Sequence, residues 1–178
     1  TLVNGAIHSA EHVHVAQLLR KKSKLLVAFG SCACEGCIPA LINLSSKTQF
    51  FDTVISTIST DNPNNIRPQT SVTMPEGVIT IPEMYSVVRT LDQVVPVDYY
   101  MPGCPPESHQ IAAVIDLVIQ VLQGKAELPP PGSVIGAGGS TVCDECPRKR
   151  TVKKIKKFDR IQFIEPDPEL CLLEQGIL

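Results

Sequence analysis

The sequence predicts an open parallel α/β sheet flanked by helices. Two continuous apolar runs, residues 25–29 and 94–101, each lead directly into a turn that contains Gly and Cys, and a short strand is predicted to end at Val3–Gly5. A continuous apolar run is typical of a strand buried on both faces, as strands of parallel sheets are. Helical patterns alternate with these runs, which favours a parallel arrangement. Ligands of such sheets bind beyond the carboxyl ends of the strands, so chemistry is expected where the two runs end.

The helices that flank this sheet are predicted from the spacing of apolar residues. Residues 9–22 carry apolar side chains at helical spacing and end in basic residues, which suit a helix C-terminus. The same spacing predicts a helix over residues 50–58 and a short one over residues 84–91. Prolines at the start favour a long helix over residues 105–122. Residues 61–75 are rich in Pro, Asn and Thr and are predicted to form a loop.

Composition excludes several classes of protein. With 178 residues, 43% of them hydrophobic, the chain can bury a core, and its net charge of −2 creates no general attraction to nucleic acid or membranes. The longest apolar run, residues 111–122, is too short for a membrane span and contains Asp116. The chain shows no secretory signal, so a reducing cytoplasm is the expected location for its thiols. Because it begins at Thr1, within a predicted strand, it is expected to be a segment of a longer polypeptide.

A change in composition divides the chain. Residues 1–124 are assigned to the α/β domain, and residues 125–140 form a linker rich in Pro and Gly. Residues 141–178 contain cysteines but too few apolar side chains to fold alone. A segment of that kind needs a metal, a cluster or a docking surface to fold. We expect it to have little regular structure.

The cysteines carry the strongest functional signal. Seven of them form three groups: Cys32, Cys34 and Cys37; Cys104; and Cys143, Cys146 and Cys171. Thiolate sulfur is the ligand that iron–sulfur clusters require, and loops rich in Gly let the backbone approach the cluster. Cys32 and Cys104 each follow a predicted strand, so they are expected to meet at one edge of the sheet and to share one cluster. An electron-transfer iron–sulfur protein is therefore the leading hypothesis.

Other roles remain open for most of these cysteines. Cys34 and Cys37 form C-x-C-x-x-C with Cys32, which would suit a metal site, but cysteine is also a small core residue, and packing is the favoured role for both. The C-x-x-C at Cys143 and Cys146 suits zinc as well as an iron–sulfur cluster. Cys171 taken alone indicates only an unpaired thiol.

Two other groups of residues have alternative roles. His8 and His12 are four residues apart with Glu11 between them, and a solvated helix face is predicted because the H-E-x-x-H order is absent. A basic stretch near the C-terminus could dock an acidic partner, balance the charge of a cluster or form an ordinary solvated face. No nucleic-acid motif accompanies it. The stretch comprises Arg148, Lys149, Arg150, Lys153, Lys154, Lys156, Lys157 and Arg160.

Specific motifs resemble a known family. Residues 28–33 (AFGSCA) and 97–106 (VDYYMPGCPP) resemble the small subunit of NiFe hydrogenases and the related 20 kDa subunit of NADH:ubiquinone oxidoreductase, respiratory complex I. Residues 141–148 (TVCDECPR) and 171–176 (CLLEQG) resemble the cytoplasmic methyl-viologen-reducing hydrogenases that are associated with heterodisulfide reductase. The complex I subunit lacks this second cysteine segment, so the resemblance favours the hydrogenase.

The resemblance implies a flavodoxin-like fold and two 4Fe-4S clusters. By this resemblance, Cys32 and Cys104 are the third and fourth ligands of the proximal cluster, whose first two ligands come from a C-x-G-C loop expected ahead of Thr1. Cys143, Cys146 and Cys171 would bind one further cluster, with another cysteine expected beyond Leu178. Each cluster therefore lacks ligands within this segment. The family usually has glycine at the position of Cys37.

The resemblance also implies a function and partners. The chain would relay electrons from the NiFe site of a large subunit to an electron-accepting iron–sulfur or flavin subunit, such as heterodisulfide reductase. A face around the proximal cluster would contact the large subunit, and these residues are expected to be incompletely buried: Ile38, Pro39, Met101 and Pro102. The alternatives are a complex I-type subunit coupled to quinone and a cluster-free α/β scaffold with a structural zinc in its tail.

Overall fold

A computed structural model of the chain describes residues 1–151, 154–155, 157–159, 162 and 165–177. The chain divides into two compact units, Thr1–Ala137 and Gly138–Leu178. The boundary between them falls inside the predicted linker. Within the described residues, no helix has the length and apolar character that a membrane crossing requires.

The first unit contains seven strands and four α-helices among its described residues. The strands are β1 (Leu2–Asn4), β2 (Ile7–Ser9), β3 (Val27–Phe29), β4 (Ser71–Met74), β5 (Gly77–Thr80), β6 (Met84–Arg89) and β7 (Tyr99–Met101). The helices are α1 (Ala10–Lys22), α2 (Ser31–Glu35), α3 (Lys47–Ser56) and α4 (Ser108–Leu122), with a 3-10 helix at Pro39–Leu44.

The central sheet is parallel, as the sequence predicts. Its strand order is β1-β3-β7, and Phe29 of β3 lies opposite Met101 of β7. The last strand is shorter than the predicted run of residues 94–101. Val94 and Val95 instead form a turn whose backbone amides donate to the carbonyl of Leu91, which buries Leu91 and Val95 in the core.

Both faces of the sheet are covered. One face packs against α1 through a cluster that includes Ala16, Leu26 and Ala28. The other face packs against α4 through Val27 and Val114. The alternation of Leu26, Val27 and Ala28 between the two clusters is the alternation that a strand backbone imposes. The continuous apolar run is therefore explained by burial on two sides.

Three predicted helices are confirmed, and each starts at a defined cap. The side chain of Ser9 accepts the amide of His12 at the start of α1, and basic residues occupy the last turn. Ser46 and Gln49 form a capping box at the start of α3. Glu107 and Gln110 form another at the start of α4, so that helix begins after the prolines rather than at them. These caps satisfy backbone amides that have no partner within a helix.

The predicted helix over residues 84–91 is wrong, since residues 84–89 form strand β6. It pairs antiparallel with β2, with Ile7 opposite Arg89 and Ser9 opposite Met84. The branched Val87 and Val88 favour an extended backbone, and Val88 is buried against Ala6 and Ile42. The predicted loop over residues 61–75 is also partly wrong, because β4 pairs with β5 in a hairpin. Pairing with a distant or following segment overrides local propensity in both places.

Part of the predicted linker runs beside the sheet. The amide of Tyr100 donates to the carbonyl of Ser133 at 3.1 Å, and the amide of Ile135 donates to the carbonyl of Tyr100 at 2.8 Å. Ile135 is buried in the same cluster as Met101. Residues 133–135 therefore extend the core of the first unit.

Among its described residues, the second unit has little regular structure, as predicted. A short helix, α5 (Val142–Glu145), is followed by isolated parallel bridges between Lys149 and Leu170 and between Asp159 and Ile177, and then by a 3-10 helix at Leu173–Gln175. The bridges connect segments that are far apart in sequence, so they give this unit its compactness.

Asp98 joins three elements of the first unit. Its carboxylate accepts hydrogen bonds from Arg20 Nη1 at 2.6 Å and from the amide of Leu26 at 2.7 Å. Burial raises the pKa of Asp98, but the hydrogen bonds from Arg20 and Leu26 and the positive charge of Arg20 lower it more, so the pKa lies below its usual value. The carboxylate therefore stabilises the folded chain only while it is ionised.

Replacing Asp98 with asparagine is expected to destabilise the first unit by about 1–3 kcal/mol at pH 7, since hydrogen bonds to a charged group are lost. A lowered folded-state pKa means that the stabilisation is present above the unfolded-state value of about 3.9 and is lost as pH falls below it. Urea denaturation at pH 7 and at pH 3 checks this. The wild type should lose more stability than Asp98→Asn between the two pH values, and equal losses would contradict the role of the carboxylate.

Candidate metal centre

Two cysteine loops leave the same edge of the central sheet. Strand β3 ends at Phe29 and leads into Cys32, while β7 ends at Met101 and leads into Cys104. Because the strands are parallel neighbours in register, both loops begin at the carboxyl edge of the sheet. The position of each cysteine after an apolar run predicts this convergence.

Backbone hydrogen bonds hold the two loops together. The amide of Gly30 donates to the carbonyl of Met101 at 2.7 Å, and the amide of Ser31 donates to the carbonyl of Gly103 at 2.8 Å. In return, the amide of Gly103 donates to the hydroxyl of Ser31 at 3.2 Å. The hydroxyl of Ser31 thus positions the loop of Cys104, a role that no local sequence pattern indicates.

Cys32, Cys37 and Cys104 lie in the two loops that follow β3 and β7. The pKa of the Cys104 thiol lies above its usual value, first because a thiolate at Cys37 would repel it and because of hydrogen bonding with Cys37. Slight desolvation and the charge of Cys32 contribute less. Cys104 itself is exposed, whereas Cys32 and Cys37 are partly buried. Packing, the role that the sequence favours for Cys37, stays a prediction.

Cys34 has a different environment, although it lies in the same short helix as Cys32. Its thiol donates to the carbonyl of Ala28 at 3.3 Å, and the side chain packs against the core cluster between the sheet and α1. Burial is the largest cause that raises the pKa of this thiol, and the charges of Glu35 and Asp92 raise it further. This is a core environment that opposes formation of a thiolate.

The chemistry of the cysteines at the sheet edge fits an iron–sulfur cluster. Across the residues that the structure describes, no group of three or more His, Cys, Asp or Glu side chains could hold one metal ion. A cluster distributes its thiolate ligands over several iron atoms, so those ligands need not meet at one point. Cys32 and Cys104, in loops rich in Gly and Pro that leave the same sheet edge, match that requirement.

The cysteines of the second unit lie on two segments that pair with each other. Cys143 and Cys146 are exposed, and Cys171 is partly buried. The amide of Cys171 donates to the carbonyl of Lys149 at 2.9 Å, which joins the segment of Cys171 to the one that follows Cys146. Arg148 donates to the carbonyls of Asp167 and Leu170 and strengthens this connection.

The turn that carries the C-x-x-C is capped by Asp144. Its carboxylate accepts the amide of Thr141 at 2.6 Å and the hydroxyl of the same residue at 2.9 Å. These hydrogen bonds, together with the charge of Arg150, hold the pKa of Asp144 below its usual value. Asp144 therefore completes the capping box with the N-cap residue Thr141 at the start of the short helix.

The basic stretch forms some contacts within the second unit. Lys149 pairs with Glu169 at 3.5 Å, and Lys157 pairs with Asp159 at 2.9 Å. Lys153, Lys156 and Arg160 lie outside the described residues. Its role in docking or in balancing cluster charge stays a prediction.

The histidine pair is not on a solvated helix face. His8 lies on β2, its ring contacts that of His12 at 4.3 Å between centroids, and its buried Nδ1 has no hydrogen-bond partner. Burial and the neighbouring charge of His12 lower the pKa of His8. Both rings line a cavity of about 540 Å³ that Cys32 also lines. The sequence shows that His8 and His12 are four residues apart, but it does not predict strand β2, on which His8 lies.

Comparisons with known proteins agree with this architecture. Residues 1–118 match the family profile described as NADH ubiquinone oxidoreductase, 20 kDa subunit. The iron-sulfur subunit of the F420-non-reducing hydrogenase of Archaeoglobus profundus is 39% identical over 99% of this chain and 55% of its own length. A vhu subunit of the F420-non-reducing hydrogenase of Methanocaldococcus jannaschii is 37% identical over 98% of this chain and 54% of its own. This chain therefore spans about half the length of these curated relatives.

A solved hydrogenase structure is also similar to this chain. A chain of the NAD+-reducing [NiFe]-hydrogenase in the H2-reduced state superposes with a TM-score of 0.55 and 28% identity, over 71% of this chain and 65% of that one. Proteins of this kind typically carry iron–sulfur clusters and transfer electrons. The resemblance that the cysteine motifs indicated is therefore confirmed: this chain belongs to the family of the 20 kDa subunit of NADH ubiquinone oxidoreductase, and the relatives that match nearly all of it are hydrogenase subunits.

Proposed function

We propose that this chain is part of the electron-transfer small subunit of a NiFe hydrogenase. One observation carries the proposal: the loops of Cys32 and Cys104 leave the same sheet edge and are joined by two backbone hydrogen bonds and by a bond from the amide of Gly103 to the hydroxyl of Ser31. That arrangement suits thiolates that share one cluster. The chain itself would break no substrate bond, since its cysteines serve as ligands of an electron carrier.

The proximal 4Fe-4S cluster would be held by Cys32 and Cys104. When bound, it stores and releases one electron at a time. The protein would set the reduction potential of the cluster through burial and through hydrogen bonds to sulfur. Cys143, Cys146 and Cys171 are the proposed ligands of one further cluster, and the pairing of Cys171 with the segment after Cys146 supports this assignment.

A NiFe large subunit is the proposed partner at the proximal edge. Near the cysteine loops, Ile38 and the 3-10 helix that follows it expose apolar side chains, with exposed fractions of 68% for Ile38, 60% for Leu41 and 85% for Leu44. Beside them lies an apolar cavity of about 540 Å³ that Phe50 also lines. Exposed apolar surface of this kind is typical of a permanent interface. Of the residues expected to be incompletely buried here, Met101 does not fit, because it is only 1% exposed and packs under α4.

The remaining assignments follow from the same proposal. An iron–sulfur or flavin subunit, such as heterodisulfide reductase, would accept the electrons through the second unit. Residues 1–124 would form the proximal-cluster domain, residues 125–140 a connection, and residues 141–178 the start of the second cluster segment. All seven cysteines are free, which suits the reducing cytoplasm as the proposed location.

Metal analysis of the complete polypeptide that contains this chain tests the proposal. We expect iron and acid-labile sulfide in equal amounts, with the electron paramagnetic resonance signal of a reduced 4Fe-4S cluster, because thiolates dominate the donor set. Co-purification of a NiFe large subunit and hydrogen-dependent dye reduction are expected as well. Zinc without sulfide would favour the structural-zinc alternative, and reduction of quinone without hydrogen uptake would favour the complex I-type alternative.

A further inference from the structure

The short helix that carries Cys32 is held by a turn from a distant part of the chain. Helix α2 spans only Ser31–Glu35, so most of its carbonyls have no partner within the helix. The amide of Leu91 donates to the carbonyl of Ala33 at 3.0 Å and supplies one of the missing partners. Both of these residues are fully buried, and the carbonyl of Leu91 accepts two amides of its own turn. The position of Cys32, next to Ala33, therefore depends on this turn.

The next residue of the turn, Asp92, connects it to strand β7. The carboxylate of Asp92 accepts the hydroxyl of Tyr100 at 2.9 Å, and the hydroxyl of Thr90 donates to its other oxygen. Tyr100 lies on β7, the strand that leads into Cys104. Asp92 is exposed, but a hydrogen bond to an ionised acceptor is stronger than one between neutral groups. The turn therefore joins the helix of Cys32 to the strand of Cys104.

The neighbouring Tyr99 makes a bond of the same kind on the other face of the sheet. Its hydroxyl donates to the carbonyl of Pro129 at 2.8 Å, and its ring is buried in the cluster that includes Val114 of α4. Tyr100 instead packs against the cluster on the α1 side, which includes Ala33. Successive side chains of a strand point to opposite faces. Strand β7 thus carries two tyrosines that each bond through the hydroxyl, and Tyr100 is the one bonded to the turn that holds α2.

We propose that Asp92 and Tyr100 are positioning residues for the cluster at the edge of Cys32 and Cys104, because their hydrogen bond fixes the helix of one ligand relative to the strand of the other. The inference rests on the proposed function and extends it to residues that are not ligands. A ligand that is displaced binds its metal less firmly, so groups that orient the ligands contribute to affinity. The cysteine motifs in the sequence do not indicate this role.

Four variants of the complete polypeptide, in its native complex, test the inference. Tyr100→Phe and Asp92→Ala each remove one partner of the bond, and the double variant removes both. Tyr99→Phe is the matched control, because it also removes one hydroxyl from β7, on the opposite face. The measurements are the urea midpoint, the rate at which a ferrous-iron chelator removes iron, and the electron paramagnetic resonance spectrum of the reduced cluster.

Tyr100→Phe and Asp92→Ala are each expected to change the spectrum and to speed iron removal by about tenfold, the lower end of the loss that follows removal of a group that orients a metal ligand. The double variant should release iron no faster than the more affected single variant, since both substitutions break the same bond. Tyr99→Phe should lower the urea midpoint but leave the spectrum and the rate of iron removal unchanged.

Three results would overturn the inference. If Cys104→Ser loses the cluster while Tyr100→Phe and Asp92→Ala release iron as the wild type does, the inference fails and the proposed function stands. If the wild type holds no cluster, both fail. Equal effects of Tyr99→Phe and Tyr100→Phe on iron removal would show that a general loss of stability, rather than the bond to Asp92, is responsible.

Discussion

Hydrogen-driven dye reduction is expected to disappear when Cys104 is replaced with serine in the complete hydrogenase complex. Cys104 follows β7 at the sheet edge where the loop of Cys32 also begins, so serine removes one thiolate from the proposed proximal cluster. A hydroxyl is a much poorer ligand than a thiolate for iron in such clusters. Under the proposed function, electrons from the large subunit would have no path through this chain without the cluster. The measurement is reduction of a viologen dye under hydrogen.

Two controls separate loss of the relay from loss of the complex. Hydrogen/deuterium exchange by the large subunit should persist at least in part in Cys104→Ser, because that reaction needs no electron to leave the large subunit. Cys34→Ala should reduce dye at close to the wild-type rate, since Cys34 faces the core. Normal dye reduction by Cys104→Ser would show that electrons take another route.

The second large effect is expected from Gly103→Ala. Gly103 has φ 141°, and an added Cβ atom would lie 2.5 Å from Pro106 Cα and 2.6 Å from Pro106 N. Both neighbours are backbone atoms, so the turn that carries Cys104 must shift to relieve the clash. We expect a loss of about 3 kcal/mol or more in unfolding free energy, from overpacking added to backbone strain, together with loss of iron from the proximal site.

Gly77→Ala provides the matched control. Gly77 also has φ 141°, but an added Cβ atom would meet nothing within 4 Å. The conformational strain is therefore shared by the two variants, and the clash is present only at Gly103. Urea denaturation and iron analysis of both variants give the comparison. A destabilisation of equal size in the two would show that the close approach to Pro106 is unimportant.

Much of the first unit could be predicted because its signals are local. Strand β3 is visible as a continuous apolar run, and α1, α3 and α4 are visible from apolar spacing and from their ends. The predicted helix over residues 84–91 is wrong because the spacing of Val87, Val88 and Leu91 fits a helix as well as a strand. Pairing of β6 with β2, about eighty residues away, decided between the two, and no local pattern contains that information.

The order of residues is enough to show that Cys32 and Cys104 each follow a buried strand, and the parallel sheet then brings their loops to one edge. Only the folded structure distinguishes the surroundings of Cys34 from those of Cys37. The two are three residues apart, yet the thiol of Cys34 bonds the carbonyl of Ala28, whereas Cys37 has a left-handed backbone. The physical reason is that a side chain's direction after a turn depends on backbone angles, here φ 46° at Cys37, and on what packs against it. The order of amino acids along one loop reveals neither those angles nor the residues that pack against each side chain.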